Sequence, residues 1–170
     1  SWDKPRENIQ NSWSSPALVN VGGSLQLIVS AAPRVAGYDP VSGRELWSVE
    51  CLGGEVAPSP AFADGMVYVA NEYVKLTAVK LGDEARVAWE YDQDLPNVSS
   101  PVAAGGFLVI ASSGGVVTCL DAREGKVLWK HEFTKGFYSS PVAAGDQVYL
   151  MDVEGMMHVV GLAREFRLVA

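Results

Sequence analysis

The residues in this chain best suited to chemistry are few. Met151, Met156, Met157 and His158 group soft-metal ligand types that suit copper. They alternate along an extended segment, however, and methionine commonly fills irregular gaps in a core, so packing is the preferred reading. His131 stands alone on an outer strand, where a structural role is expected rather than catalysis. Asp83, Glu84, Asp92 and Asp94 fall in turns and read as a solvated face, with calcium the alternative. The Ser-Ser pairs have no His and acid arranged beside them. Nucleophile elbows, zinc spacings, phosphate loops and dinucleotide fingerprints are absent, so no catalytic residue and no metal site is assigned. Asn97-Val98-Ser99 fits a glycosylation acceptor and carries little weight by itself.

Composition narrows the classes. With 170 residues, 48% of them hydrophobic, the chain can bury a core. A net charge of -7 without clustered Lys or Arg argues against nucleic acid and anionic membranes as partners. No apolar run approaches the roughly 18 residues of a membrane span, and the first ten residues are polar, so neither a transmembrane segment nor a signal peptide is expected in this stretch. Cys51 and Cys119 lie far apart; a disulfide is open to them, but two free, buried thiols are preferred.

The elements that must position any site are short strands. From Ser99 to Lys130 the chain reads SSPVAAGGFLVIASSGGVVTCLDAREGKVLWK, in which apolar runs alternate with Gly-rich turns. Runs of this length, rich in Val, Ile and Phe, are strands joined by hairpins. Four of them make one antiparallel meander.

That unit recurs. Ser-Pro appears at Ser15-Pro16, Ser59-Pro60, Ser100-Pro101 and Ser140-Pro141, with spacings of 44, 41 and 40, and Trp47, Trp89 and Trp129 follow at spacings of 42 and 40. A period near 40 residues with four strands per period predicts an all-β fold of β-propeller blades. Trp2 stands 14 residues before Pro16, in step with the later tryptophans, which places 1–13 as the outer strand of a preceding blade. Blades are then expected over 14–53, 54–94 and 95–135, with an incomplete one over 136–170. About four blades make a partial ring of a larger seven- or eight-bladed propeller. An open arc exposes two apolar faces. Either the N-terminal strand joins the last three strands, or a second copy or further sequence covers them; a homodimer of two half-rings is one solution.

Two turns carry the sharpest local signal. In Asp39-Pro40-Val41-Ser42-Gly43-Arg44-Glu45-Leu46-Trp47 and Asp121-Ala122-Arg123-Glu124-Gly125-Lys126-Val127-Leu128-Trp129, Asp precedes Gly by four and Gly precedes Trp by four. Asp bonds turn amides and Gly accepts positive φ. Trp2, Trp47, Trp89 and Trp129 are expected to lie between blades. Burying an indole of roughly 150–250 Å² stabilises by at most about 4–6 kcal/mol.

The Asp121 to Trp129 segment, preceded by Cys-Leu and followed by Ser-Ser-Pro in the next unit, resembles the tryptophan-docking repeat of pyrroloquinoline-quinone-type propellers, over the whole chain in four copies. The resemblance implies either an extracytoplasmic, non-catalytic module of the kind found in the bacterial outer-membrane barrel assembly machinery, or a fragment of a quinone-dependent dehydrogenase using the quinone and calcium. Against the latter, no two cysteines adjoin, and the dehydrogenases' calcium-binding Glu and Asn and catalytic Asp have no counterpart. The second unit, Val79 to Trp89, lacks the Asp, and the fourth lacks the Trp.

In such a propeller the loops entering the innermost strands and those between second and third strands meet at one mouth of the channel. They carry Trp13, Ala57, Val98 and Tyr138 at equivalent positions, with Glu55, Asn97 and Phe137 beside them and Arg34, Glu72 and Tyr73 opposite. An aromatic and polar rim of this kind accepts a peptide, a strand edge or a sugar; the competing reading is that the rings plug the channel or sit at the arc's broken edge. The expectation is a binding scaffold with a protein partner and no cofactor.

Overall fold

Glycine turns set the fold by letting short β-branched runs double back. The computed structural model describes residues 2, 3 and 5–170. Within them lie β1 (Ala17–Val21), β2 (Ser24–Ala31), β3 (Arg34–Tyr38), β4 (Glu45–Glu50), β5 (Ala61–Ala63), β6 (Met66–Asn71), β7 (Lys75–Lys80), β8 (Arg86–Tyr91), β9 (Val102–Ala104), β10 (Phe107–Ala111), β11 (Val116–Asp121), β12 (Val127–Glu132), β13 (Val142–Ala144), β14 (Gln147–Met151) and β15 (Met157–Gly161). They form four antiparallel meanders, β1–β4, β5–β8, β9–β12 and β13–β15, and no helix occurs among the described residues.

Successive sheets stack face to face, with one apolar layer per junction. Val19, Ile28 and Val35 of the first meet Val67, Val69 and Val79 of the second; Tyr68, Ala70 and Leu76 meet Leu108, Ile110 and Leu120; Val109, Val117 and Cys119 meet Val148, Leu150 and Val160. This explains why β6 is buried at every residue while β14 alternates. A sheet covered on both faces reads as a continuous apolar run, and one covered on a single face alternates. The innermost strands β5, β9 and β13 approach one another, so the sheets fan out as blades of an open propeller arc.

Serine of each Ser-Pro step ties one blade to the next. The Ser15 amide donates to Ser59 Oγ, the Ser59 amide to Ser100 Oγ and the Ser100 amide to Ser140 Oγ, each at 2.9 Å. Proline after each serine keeps it extended. Among the described residues the relay has two open ends, the Ser15 hydroxyl and the Ser140 amide.

The tryptophans sit opposite a β-bulge. Register shifts fall at Gly37/Tyr38, Ala78/Val79 and Cys119/Leu120, and the residues paired with Trp47, Trp89 and Trp129 are Gly37, Ala78 and Cys119. A bulge re-aims the side chain opposite it. Trp89 Nε1 donates to the Ala122 carbonyl at 3.1 Å, Trp129 to Ala163 at 2.9 Å and Trp2 to Pro40 at 3.0 Å, so each indole reaches the β3-to-β4-type turn of a blade later in the chain. In two of those turns glycine is obligatory: a Cβ on Gly43 or Gly125 would stand 2.5 Å from the Trp2 or Trp89 ring. Asp39 accepts the Val41 and Ser42 amides, and Asp121 those of Arg123 and Glu124, which holds the turns in shape.

Trp47 is the exception. Lys80 occupies the register of Asp121, so the receiving turn of the second blade lacks its aspartate, and Trp47 Nε1 bonds Gln26 of its own blade at 2.8 Å instead. It still packs, as Leu81 and Ala85 do, against the apolar layer between the first two blades.

Three expectations are corrected. Residues 5–11 form no outer strand: with no third strand beside them they run as a strap over the first blade, Gln10 donating to the Ala32 carbonyl and Arg6 to the Tyr38 hydroxyl, while Ser1 and Lys4 of that segment lie outside the described residues. The strap does not join the last three strands either; residues 167–170 pair with β15 through Gly161, Val159 and the Val160–Leu168 bridge. Met151, Met156 and Met157 are exposed rather than core, because no described residue covers that face of the fourth blade, and Met151 and Met157 pair on the face opposite His158. Cys51 and Cys119 are free and buried in different layers, and burial pushes their thiols up to about 11 and about 12.

Candidate functional site

Loops from three successive blades converge on one cleft of about 660 Å³. It is lined by Trp13 from the segment entering the first blade, Gly53, Gly54, Glu55 and Ala57 from that entering the second, Asn71, Glu72, Tyr73 and Val74 from the β6–β7 turn, and Asn97 and Val98 from the segment entering the third. The scaffold beneath is stiff. Trp13 is anchored by its amide on the Val56 carbonyl at 2.9 Å, and the preceding Ser12 hydroxyl bridges to Ser30 at 2.8 Å.

Asn71, buried at the end of β6, fixes the floor: its side chain accepts the Gly53 amide at 3.1 Å and donates to the Glu55 carbonyl at 2.8 Å. The Asn97 amide donates to Glu72 Oε2, orienting that carboxylate. The β6–β7 turn closes with the Val74 amide on the Asn71 carbonyl, which puts Tyr73 at φ 64°. That region disfavours a residue with a bulky side chain, at about 1 kcal/mol or more. Tyr73 is nonetheless 92% exposed, and Trp13 64%. Two exposed aromatic residues, one on a strained turn, share the cleft with two carboxylates.

The sequence-derived rim splits on this geometry. Trp13, Glu55, Glu72, Tyr73 and Asn97 come together in the cleft. Arg34 lines a separate groove with Glu7 and Glu50. Phe137 is a correction: fully buried, it packs edge-on to Phe133 and against His158, so it belongs to the layer between the last two blades. Its neighbour Tyr138 is exposed but outside the cleft. Asn71 was missed as a floor residue, although polar residues recur at the same turn as Ser112 and Asp152, a visible signal. His131 stacks on Phe166 with centroids 3.9 Å apart, a packing role.

Among the described residues no three His, Cys, Asp or Glu side chains converge where a metal ion could sit, and the two cysteines are buried in separate layers.

Blades of four short strands, indoles docked on the turns of later blades and a loop-built rim define an open β-propeller of the quinone-repeat type. The family model of the outer membrane protein assembly factor BamB matches residues 2–104 and 94–165, and the chain belongs to that family. Among solved structures it is similar to BamB from Moraxella catarrhalis, with a TM-score of 0.78 and 14% identity over 99% of this chain and 53% of that one. It thus spans about half the length of that relative. It is similar also to the computationally designed Ika4 protein, with a TM-score of 0.73 and 14% identity over 96% of both chains. A europium-containing methanol dehydrogenase matches with a TM-score of 0.60 and 14% identity, over 87% of this chain and 38% of that one. At these identities the likeness is one of fold. A search of curated protein sequences finds no relative.

Proposed function

We propose that this chain is a non-catalytic, extracytoplasmic propeller scaffold that docks a protein partner on its rim cleft, in the manner of an outer-membrane assembly factor. The observation that carries the reading is the cleft itself. Loops of three blades present Trp13 and Tyr73 to water, one on a strained turn, and strained exposed residues on a rigid frame are a mark of binding sites. Family membership supports the assembly context, and among the described residues no helix is long and apolar enough to cross a membrane. A photo-crosslinker at Tyr73 should capture one envelope protein, with capture lost in Trp13→Ala. Capture that survives that variant would overturn the reading, as would a tight coloured complex with pyrroloquinoline quinone and calcium.

A second copy is proposed to complete the ring. The serine relay favours it, since the open amide of Ser140 matches the open hydroxyl of Ser15. The faces beside those ends, Leu18 and Leu25 on one side and Val142, Met151 and Met157 on the other, are apolar and exposed. Sedimentation should give twice the chain mass, reverting to one in Met151→Glu; a monomer at all concentrations would refute closure by a second copy.

A further inference from the structure

We propose that the rim cleft takes a cationic side chain, an arginine above all, carried on an extended segment of the partner. The inference rests on the rim being a docking surface and names what it recognises. Glu55 and Glu72 both line the cleft, and the lining residues include no Lys or Arg to neutralise them. Lys75, the nearest cation in sequence, is held by Glu90 at 2.9 Å. The whole chain carries -7, so the cleft sits in a field that draws cations.

The aromatic rings decide between a free cation and a side chain. Trp13 and Tyr73 present faces to which a guanidinium is attracted, Trp being the best platform, while a carboxylate beside the ring accepts its N–H groups. Glu72 is pre-set by the Asn97 amide, which occupies Oε2 and leaves Oε1 to accept. Val74, Val98 and Ala57 supply apolar wall for the methylene stem. Lysine offers a point charge and no planar fork, so it ranks second.

The test is calorimetric titration of the chain with a short extended peptide bearing two arginines, against the same peptide with glutamine in their place and with glutamate in their place. The arginine peptide should bind and the other two should not. Its affinity should fall by about fivefold in Glu55→Gln or Glu72→Gln, and further in the double variant and with added salt. Trp13→Ala should weaken it comparably. Equal binding of the glutamine peptide, unchanged affinity in the double variant, or no binding of the arginine peptide would overturn the inference. A partner that docks on the rim but ignores the glutamate substitutions would remove the arginine proposal and leave the scaffold reading intact. A partner indifferent to Trp13→Ala would remove the scaffold reading itself.

Discussion

Gly125→Ala isolates what an indole docked between blades contributes. Gly125 lies at φ +72°, and a Cβ there would come within 2.5 Å of Trp89 Cδ2, the middle of a rigid ring. Gly65 lies at φ +74° with open space around it, so Gly65→Ala pays only the backbone strain, about 1 kcal/mol. Gly125→Ala pays that strain and also expels the ring. Losing the 3.1 Å bond to the Ala122 carbonyl costs about 1 kcal/mol. Re-exposing about 100 Å² of indole, roughly half the ring, costs about 2.5 kcal/mol more at about 25 cal/mol per Å². The expected totals are about 4.5 kcal/mol against about 1, or roughly 9–18 °C against 2–4 °C in melting temperature for a chain of this size. Calorimetry with urea titration would measure both variants. In a Trp89→Ala background the Gly125→Ala penalty should shrink to that of the Gly65 control. Equal losses in the two single variants would refute the claim that the indole needs that glycine.

Trp129 is 8% exposed and edge-on to Phe166, so Trp129→Ala should cost about 3–5 kcal/mol and uncouple the last two blades; an unchanged urea midpoint would count against it. Tyr73→Gly relieves the left-handed turn, so thermal stability should rise slightly, by up to about 1 kcal/mol, while partner binding falls; a loss of both would show that the ring is structural. The hydrogen bond from His158, helped by the Met156 and Glu154 amides, holds the Asp152 carboxyl below the usual aspartate range. Its folded form therefore releases the proton more readily than the unfolded chain does. The stabilisation is complete above about pH 4 and is lost as pH falls through the lowered folded value. Protection of the β14–β15 hairpin amides, taken relative to their intrinsic exchange rates, should fall on that descent, and Asp152→Asn should flatten the dependence.

Much of this was legible in the residues because the code is local. Strand ends are written by Gly pairs, and the Asp39 and Asp121 turns by the four-residue step to glycine. The period alone brought Trp13, Glu55, Glu72, Tyr73 and Asn97 to one rim. What escaped depends on contacts between units. The bulges opposite the tryptophans emerge only once strands are in register. The Trp47 detour depends on Lys80 in another blade. Phe137 and Tyr138 are adjacent in one loop, and which of them turns inward is decided by the space beside Phe133 and His158. The bare methionines follow from the fourth blade being the last of the arc among the described residues, a matter of assembly rather than of residue type.

Each step of the serine relay uses the same amide and the same hydroxyl of the same dipeptide, donor always from the earlier blade. The arc therefore has a direction, and the serine step is the same at all three junctions even where the indole docking differs. Recombination at a Ser-Pro boundary would leave that step intact whichever module follows.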